Sequence, residues 1–174
     1  QLEDLPVGAG FHAAYTLPLE GLDTYVEYGF SENELVKTKN ALRSDASILR
    51  PRIMPGLFKT AQDNIAKGIA DLKLFEIGHV FNLPFDENLQ PVETNHLSIV
   101  FAGGEDSRPT GVKRDFDVFD AMDTARSIFA ALKIENVTFE AITHKGFHPT
   151  RTAKIMVDNV EVGFVAQKLG EDKL

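Results

Sequence analysis

The amino-acid sequence predicts an α+β fold in which an antiparallel β-sheet is flanked by helices. Residues 55–69 and 116–132 carry apolar side chains at three- and four-residue intervals, the period of a helix with one buried face. The apolar stretches 72–81 and 96–102 flank a segment rich in proline and acidic residues, as hairpin strands flank their loop. This order fits one continuous antiparallel sheet with helices against one face better than parallel βαβ units.

Length and composition indicate a single domain. The chain has 174 residues, 43% of them hydrophobic, which is enough to bury one sizeable core. We therefore expect one domain over residues 1–174. Residues 1–21 form an N-terminal segment that cannot be assigned to a predicted element. The net charge of −8 repels polyanions on average and argues against a dedicated nucleic-acid binder.

Localisation is predicted from features that the sequence lacks. It has no run of 18 apolar residues, and its N-terminus lacks the basic and apolar regions of a secretory signal. It also has no cysteine, which excludes disulfides and thiolate metal sites. We therefore expect a soluble, cytoplasmic protein with no membrane partner.

The first third of the chain is predicted to contain short elements. Residues 24–30, rich in aromatic residues, have the composition of a strand. A helical turn is expected within 32–39 and a strand approaching Leu49.

A long helix is predicted to begin at Pro55, whose fixed φ and missing N–H suit the first turn of a helix. Gly68 indicates its end, around Ile69. The buried face is predicted to contain five apolar residues: Leu57, Phe58, Ala61, Ile65 and Ile69.

A β-hairpin is predicted after this helix. Residues 72–81 form its first strand, in which Gly78 indicates a bulge or a close backbone approach. Residues 82–95 are predicted to be an exposed loop, after which 96–102 returns antiparallel.

The last third is predicted to contain one helix and a second hairpin. Phe119 lies off the apolar stripe of the helix and indicates a broader buried face or a contact with a partner subunit. Residues 137–142 and 152–157 have the pattern of strands, and Asp158-Asn159 predicts a two-residue turn. The buried stripe of the helix is predicted to contain Val118, Met122, Ala125, Phe129 and Leu132.

Three stretches, taken in order, resemble one protein family. Residues 49–81 contain Leu-Arg-Pro-Arg-Ile-Met-Pro-Gly-Leu, the long helix and Leu-Phe-Glu-Ile-Gly-His-Val-Phe. Residues 116–132 begin Phe-Asp-Val-Phe-Asp, and 147–167 contain Phe-His-Pro-Thr-Arg-Thr-Ala. These motifs resemble those of the catalytic-like domain in the β subunit of bacterial phenylalanyl-tRNA synthetase.

The resemblance implies the fold of a class II aminoacyl-tRNA synthetase without its catalytic residues. Active class II enzymes carry an arginine that grips the α-phosphate of ATP, and the corresponding segment here, 72–76, has none. The glycine- and arginine-containing motif that binds adenine and the γ-phosphate is absent from the final third. We therefore expect a catalytically silent domain with no catalytic, cofactor-binding or metal-binding residue.

The resemblance also implies partners. The family enzyme attaches phenylalanine to its tRNA with ATP and magnesium, and the chemistry belongs mainly to its α subunit. The chain is therefore expected to be part of a larger β subunit that packs against the α subunit in an enzyme that binds tRNA. Expressed alone, such a domain is expected to expose an apolar partner surface and to self-associate.

Five residues are candidates for contacts with the α subunit or with tRNA: Arg50, Arg52, Phe119, His148 and Arg151. The two arginines at 50 and 52 belong to a basic cluster within 37–52, and the last two residues belong to another within 144–154. Neither cluster has interleaved aromatic residues for base stacking, which favours a solvated or protein-binding surface.

Two other functions stay open. An active small-molecule ligase could have rebuilt its nucleotide site with Arg50, Arg52 or Arg151. A freestanding RNA-binding or regulatory paralogue would need both basic clusters on one face.

His144 and His148 have the spacing of two zinc ligands on a helix, but the glycine and proline beside them disfavour that helix.

Overall fold

The computed structural model describes residues 3–41, 43, 45–105 and 113–169. The chain divides into two compact units, Gln1–Gly104 and Glu105–Leu174. Each unit combines at least one helix with antiparallel strand pairs, so the predicted α+β class is confirmed.

The first unit contains the longest hairpin of the described chain and the helix that packs on it. Its helices are α1 (Asp4–Gly8), α2 (Leu22–Glu27), a 3₁₀ turn (Glu32–Glu34) and α3 (Met54–Ala66). Its strands are β1 (His12–Ala13), β2 (Leu19–Glu20), β3 (Ile48–Leu49), β4 (Leu72–Phe85) and β5 (Pro91–Ala102), and β6 (Gly104–Glu105) lies at the boundary between the units.

The strands of the first unit belong to more than one sheet. β1, β4 and β5 form a three-stranded sheet in which β1 runs parallel to β4, while β2 pairs with β3. In the described residues the strands of the chain therefore form separate sheets, and the prediction of one continuous antiparallel sheet is wrong. The parallel β1–β4 pair joins distant parts of the chain, which local sequence patterns do not report.

The strand predicted over 24–30 is wrong, because residues 24–27 belong to helix α2 and residues 28–30 follow it without forming a strand. Gly21 precedes the helix in an extended conformation, and Tyr25 and Tyr28 are 1% and 4% exposed. Two aromatic residues three positions apart face the same side of a helix, where both are buried. Tertiary burial has overridden the strand propensity of these residues.

Helix α3 is confirmed, with Pro55 in its first turn and Leu57 and Ala61 in the core. The prediction that Ile65 and Ile69 are buried is wrong, because they are 46% and 51% exposed. Ile65 lies in the last turn of the helix, which ends at Ala66, and Ile69 lies beyond the helix, after Gly68 in the left-handed conformation.

The β4–β5 hairpin is confirmed as antiparallel and is longer than predicted. Residues 86–90 form its turn, because β4 continues to Phe85 and β5 begins at Pro91. The register passes Gly78 without a shift, so a bulge there is excluded, and the irregularity lies between Asn82 and Phe85. α3 packs on the hairpin around a buried cluster of Ile53, Leu57, Ala61, Leu72, Leu74, Val80 and Val100.

The second unit contains β7 (Arg114–Asp115), α4 (Val118–Ala131), β8 (Val137–Ala141), β9 (Phe147–Val157) and β10 (Val160–Lys168). The last three strands form an antiparallel sheet in the order β10-β9-β8. Asp158 and Asn159 have φ values of 48° and 66°, which confirms the predicted two-residue turn between β9 and β10.

Helix α4 confirms the helix predicted over 116–132 but begins two residues later, at Val118, where the side chain of Asp117 accepts hydrogen bonds from the N–H groups of Phe119 and Asp120. The predicted burial of its apolar stripe is only partial. No residue of α4, all of which the structure describes, is fully buried, and Leu132 just beyond it is 43% exposed. Its apolar face is therefore shared between the sheet and solvent.

Candidate functional site

A buried ion pair lies at the centre of the first unit. Arg50 follows β3, and Glu76 lies in the middle of β4. The guanidinium Nη1 of Arg50 is 2.6 Å from Oε1 of Glu76, and the two side chains are 9% and 2% exposed. Buried charges persist in folded proteins when they are paired and hydrogen-bonded, as these are.

Further hydrogen bonds satisfy both charged groups. Arg50 donates from Nε to the carbonyl oxygen of His79 (2.8 Å) and from Nη1 to Oγ1 of Thr16 (3.0 Å). Thr16 donates from its backbone N (3.1 Å) and from Oγ1 (2.7 Å) to Oε2 of Glu76. The network therefore joins the N-terminal segment, the residue after β3 and the central strand β4.

Gly78 provides the space for this network. A Cβ atom at Gly78 would lie 2.4 Å from Nη2 of Arg50, closer than any side chain tolerates. The sequence left two explanations for Gly78, and the structure supports close approach, with the guanidinium as the approaching group. The glycine is needed because the Arg50 side chain lies against the strand backbone.

The network is suited to holding the fold rather than to chemistry on a ligand. Arg50 is 7% exposed, and its charge is already opposed by a carboxylate. An arginine that clamps a phosphate presents unopposed N–H groups to the ligand. Recruiting Arg50 to a phosphate would leave Glu76 as an unpaired buried charge, which is strongly unfavourable.

Tyr25 lies in a neighbouring buried cluster with Leu35 and Ile48. Burial raises the pKa of its phenol well above the ordinary value, the negative charge of Glu20 raises it further, and the positive charge of Arg50 opposes both. The hydroxyl therefore stays protonated across the neutral and mildly alkaline range.

Arg52, two residues further along the chain, is half-buried. Its guanidinium carbon lies 5.5 Å from the centre of the Phe30 ring, within the range of a cation–π interaction. Burial lowers the pKa of His96, and the positive charge of Arg52 lowers it further. The structure thus places Arg50 in the interior and Arg52 against an aromatic ring, in different environments.

Three predicted contact residues lie in the second unit. Phe119, in the first turn of α4, is 66% exposed. His148 accepts a hydrogen bond at Nδ1 from the backbone N of Thr150 (3.3 Å), and exposed Arg151 donates to Oε1 of Gln167 on β10 (2.8 Å). Their surface positions are compatible with partner contacts, which stay a prediction.

The first basic cluster is largely neutralised within the chain. Lys37 pairs with Glu32, and Nη2 of Arg43 lies 2.6 Å from Oδ2 of Asp45. With Arg50 buried as well, three of the five cations in residues 37–52 are opposed by a carboxylate, which weakens the attraction of this cluster for a phosphate backbone.

The second basic cluster and the histidine pair have local partners too. Lys154 pairs with Glu140 at 2.9 Å, and the ring of His144 stacks on Phe164 with a centroid distance of 5.4 Å. In the described part of the chain no group of three or more His, Asp or Glu side chains is placed to hold a metal ion.

Sequence reasoning missed Glu76 and Thr16 as the partners of Arg50. One signal was available, because a glutamate flanked by apolar residues in a predicted strand must find a cation or donors when it is buried. Nothing in the sequence indicated Thr16, which is 60 residues from Glu76.

Comparison with solved structures defines the fold as that of a class II aminoacyl-tRNA synthetase. Pyrrolysyl-tRNA synthetase of Desulfitobacterium hafniense superposes with a TM-score of 0.64 at 16% identity, covering 92% of this chain and 53% of that protein. A second structure of the same synthetase gives a TM-score of 0.65 at 15% identity. At this identity the similarity concerns the fold alone.

Sequence comparison identifies the family. A family model described as "Phenylalanyl tRNA synthetase beta chain CLM domain" matches residues 1–168, and the chain belongs to that family. Similar relatives are the phenylalanine–tRNA ligase β subunits of Bacillus cereus, 31% identical over 92% of this chain, and of Lactobacillus acidophilus, 32% identical over 91%. The chain spans about a fifth of the length of these relatives, 20% in both.

Among the described residues, no helix combines the length and the apolar character needed to cross a membrane.

Proposed function

We propose that this chain is a non-catalytic, class II-like domain of a phenylalanine–tRNA ligase β subunit and that it packs against the catalytic α subunit. The whole enzyme charges tRNA with phenylalanine, and ATP and magnesium bind mainly at the α subunit. The enzyme is cytoplasmic. A single family match that extends across both compact units supports the proposal that they form one domain.

The observation that carries the non-catalytic role is the buried ion pair of Arg50 and Glu76. A rebuilt nucleotide site in this unit would need an arginine with free donors, and Arg50 donates instead to Glu76, Thr16 and the backbone of His79. This arrangement favours the scaffold over an active small-molecule ligase whose nucleotide site is built on Arg50. The internal ion pairs of both basic clusters disfavour the RNA-binding paralogue in the same way.

Co-expression with a phenylalanine–tRNA ligase α subunit tests the proposal. Size-exclusion chromatography with light scattering is expected to show a stable complex. The chain alone is expected to give no phenylalanine-dependent exchange of pyrophosphate into ATP. Exchange by the chain alone would contradict the non-catalytic role, and failure to form any complex would contradict the scaffold role.

A further inference from the structure

Residues 148–151 form a bulge in the sheet of the second unit. These four residues of β9 lie opposite a single residue of β10, Gln167. A bulge interrupts the regular ladder of hydrogen bonds and turns side chains into directions that a regular strand does not offer. The residue pairs that flank the bulge are Thr152–Ala166 and Phe147–Lys168.

Hydrogen bonds within the bulge fix its backbone. The hydroxyl of Thr152, a buried residue, donates to the carbonyl oxygen of His148 (2.8 Å). The backbone N of Thr150 donates to Nδ1 of the same histidine (3.3 Å). The backbone that carries Arg151 is therefore in place before any ligand binds, which lowers the entropic cost of binding there.

The guanidinium of Arg151 is held by a neutral group. Its Nη1 donates to Oε1 of Gln167 (2.8 Å). Among the described residues Gln167 is its one hydrogen-bonding partner, and no carboxylate pairs with it. The positive charge of Arg151 is thus oriented without being neutralised. Four other arginines of the described chain pair with carboxylates instead: Arg43, Arg50, Arg114 and Arg126.

The bond to Gln167 leaves one edge of the guanidinium intact. An arginine has N–H groups at Nε, Nη1 and Nη2, and those at Nε and Nη2 point in parallel along one edge. Arg43 shows what this edge binds, because its Nε and Nη2 donate to the two carboxylate oxygens of Asp45 at 3.0 Å and 2.6 Å. In Arg151 the same two donors are available to a ligand.

We infer that Arg151 is a binding site for a small oxyanion, a carboxylate or a phosphate group, whose two oxygens accept from Nε–H and Nη2–H. Gln167 is the residue that positions the guanidinium. A nucleic acid is disfavoured, because the chain has a net charge of −8 and the lysine of the same strand, Lys154, is paired with Glu140. The site goes beyond the proposed function, since no step of this argument requires an α subunit.

Nuclear magnetic resonance of the ¹⁵N-labelled chain tests the site through the arginine Nε–H signals. Loss of one signal in Arg151→Lys assigns the resonance of Arg151. Sodium phosphate and sodium acetate are titrated separately at constant pH, with sodium chloride holding the ionic strength constant. We expect the Arg151 signal to shift saturably with a Kd of about 1–10 mM, as two charge-assisted hydrogen bonds at an exposed site allow. The anion with the lower Kd identifies the preferred group.

Substitutions of Gln167 separate orientation from charge. Gln167→Glu keeps the arginine and an acceptor for Nη1 but opposes the charge, and is expected to raise the Kd at least about tenfold. Gln167→Ala adds no charge and removes the positioning bond, and is expected to raise the Kd about two- to tenfold. Urea unfolding checks that both variants are folded. The Nε–H signal of Arg126, which pairs with Asp123 at 2.8 Å, is the control within each titration.

Three results would overturn the inference. The first is a shift of the Arg151 signal that does not saturate, and the second is an equal shift of the Arg126 signal, since either shows a general effect of ions. The third is an unchanged Kd in both variants of Gln167, which removes the positioning role. None of these results concerns the complex with the α subunit, so failure of this site leaves the scaffold role intact.

Discussion

Arg50 and Glu76 are 26 residues apart in sequence and form a buried ion pair with an Nη1–Oε1 distance of 2.6 Å. The pair fixes the residue after β3 against the central strand β4, and Thr16 ties the N-terminal segment to the same carboxylate. A charge buried in this way depends on its partner, so each member of the pair is expected to be far more sensitive to substitution than an exposed charge.

Glu76→Gln is expected to destabilise the chain by about 3–5 kcal/mol, because Arg50 then stays buried without a counter-charge. Urea-induced unfolding followed by circular dichroism measures the change. The double variant Arg50→Met/Glu76→Leu, which removes both charges, is expected to be more stable than Glu76→Gln.

Asp45→Asn is the control for this prediction, because the Asp45–Arg43 pair is exposed and is expected to contribute nothing measurable. Equal unfolding midpoints for Glu76→Gln and Asp45→Asn would show that the buried pair does not stabilise the fold.

Gly78→Ala is expected to destabilise the chain by about 1–3 kcal/mol, the usual cost of overpacking a filled interior. The new methyl group would displace the guanidinium of Arg50, which is held by hydrogen bonds and cannot turn away freely. Gly163→Ala, also within a strand, is the matched control, since its Cβ would meet the Ile155 side chain at 3.9 Å. Similar stability of the two variants would mean that Arg50 rearranges without cost.

The local parts of this fold are predictable from the sequence and the long-range parts are not. Pro55 fixes the start of α3 and Asp158-Asn159 fixes the β9–β10 turn through the conformations of those residues alone. The candidate site depends instead on Thr16, Arg50 and Glu76, whose contacts span up to 60 residues. Such contacts depend on how the whole chain folds, so the pattern around Glu76 indicates that a buried carboxylate needs a partner but not which residue supplies it.

The helix α2 shows a related limit. Thr24, Tyr25 and Val26 favour a strand when each is considered by itself, but they lie in a short helix in which Tyr25 is buried, as is Tyr28 directly after it. The predicted burial of Ile69 is wrong for a geometric reason, because helix α3 ends at Ala66 and does not reach that residue. Periodicity predicts which face of a helix is apolar but not how far the sheet beneath it extends.

Tyr25 is expected to make the stability of the chain fall at alkaline pH. Its pKa is raised in the folded state by burial and by Glu20, above the value of about 10 in the unfolded chain. The unfolded state therefore loses its proton first, so this contribution is complete below about pH 10 and is lost as the pH rises further. The slope is at most about 1.4 kcal/mol per pH unit for one proton.

Urea unfolding of the wild type and of Tyr25→Phe between about pH 9 and 11 measures this slope. The variant is expected to lack it. Tyr15→Phe is the control, because Tyr15 is exposed and is expected to keep the full dependence of the wild type. A Tyr25→Phe variant with the same alkaline slope as the wild type would assign the effect to another group.

Asn159→Val is expected to destabilise the second unit by about 1–2 kcal/mol, because Asn159 has a φ of 66°, a conformation that side chains branched at Cβ strongly disfavour. Asn159→Gly is expected to be at least as stable as the wild type, since glycine adopts this conformation without steric cost. Glu161→Val introduces the same residue two positions on, at an exposed position of β10, and is the control. Urea unfolding compares the three variants, and equal midpoints for Asn159→Val and Glu161→Val would show that the β9–β10 turn tolerates a rearranged backbone.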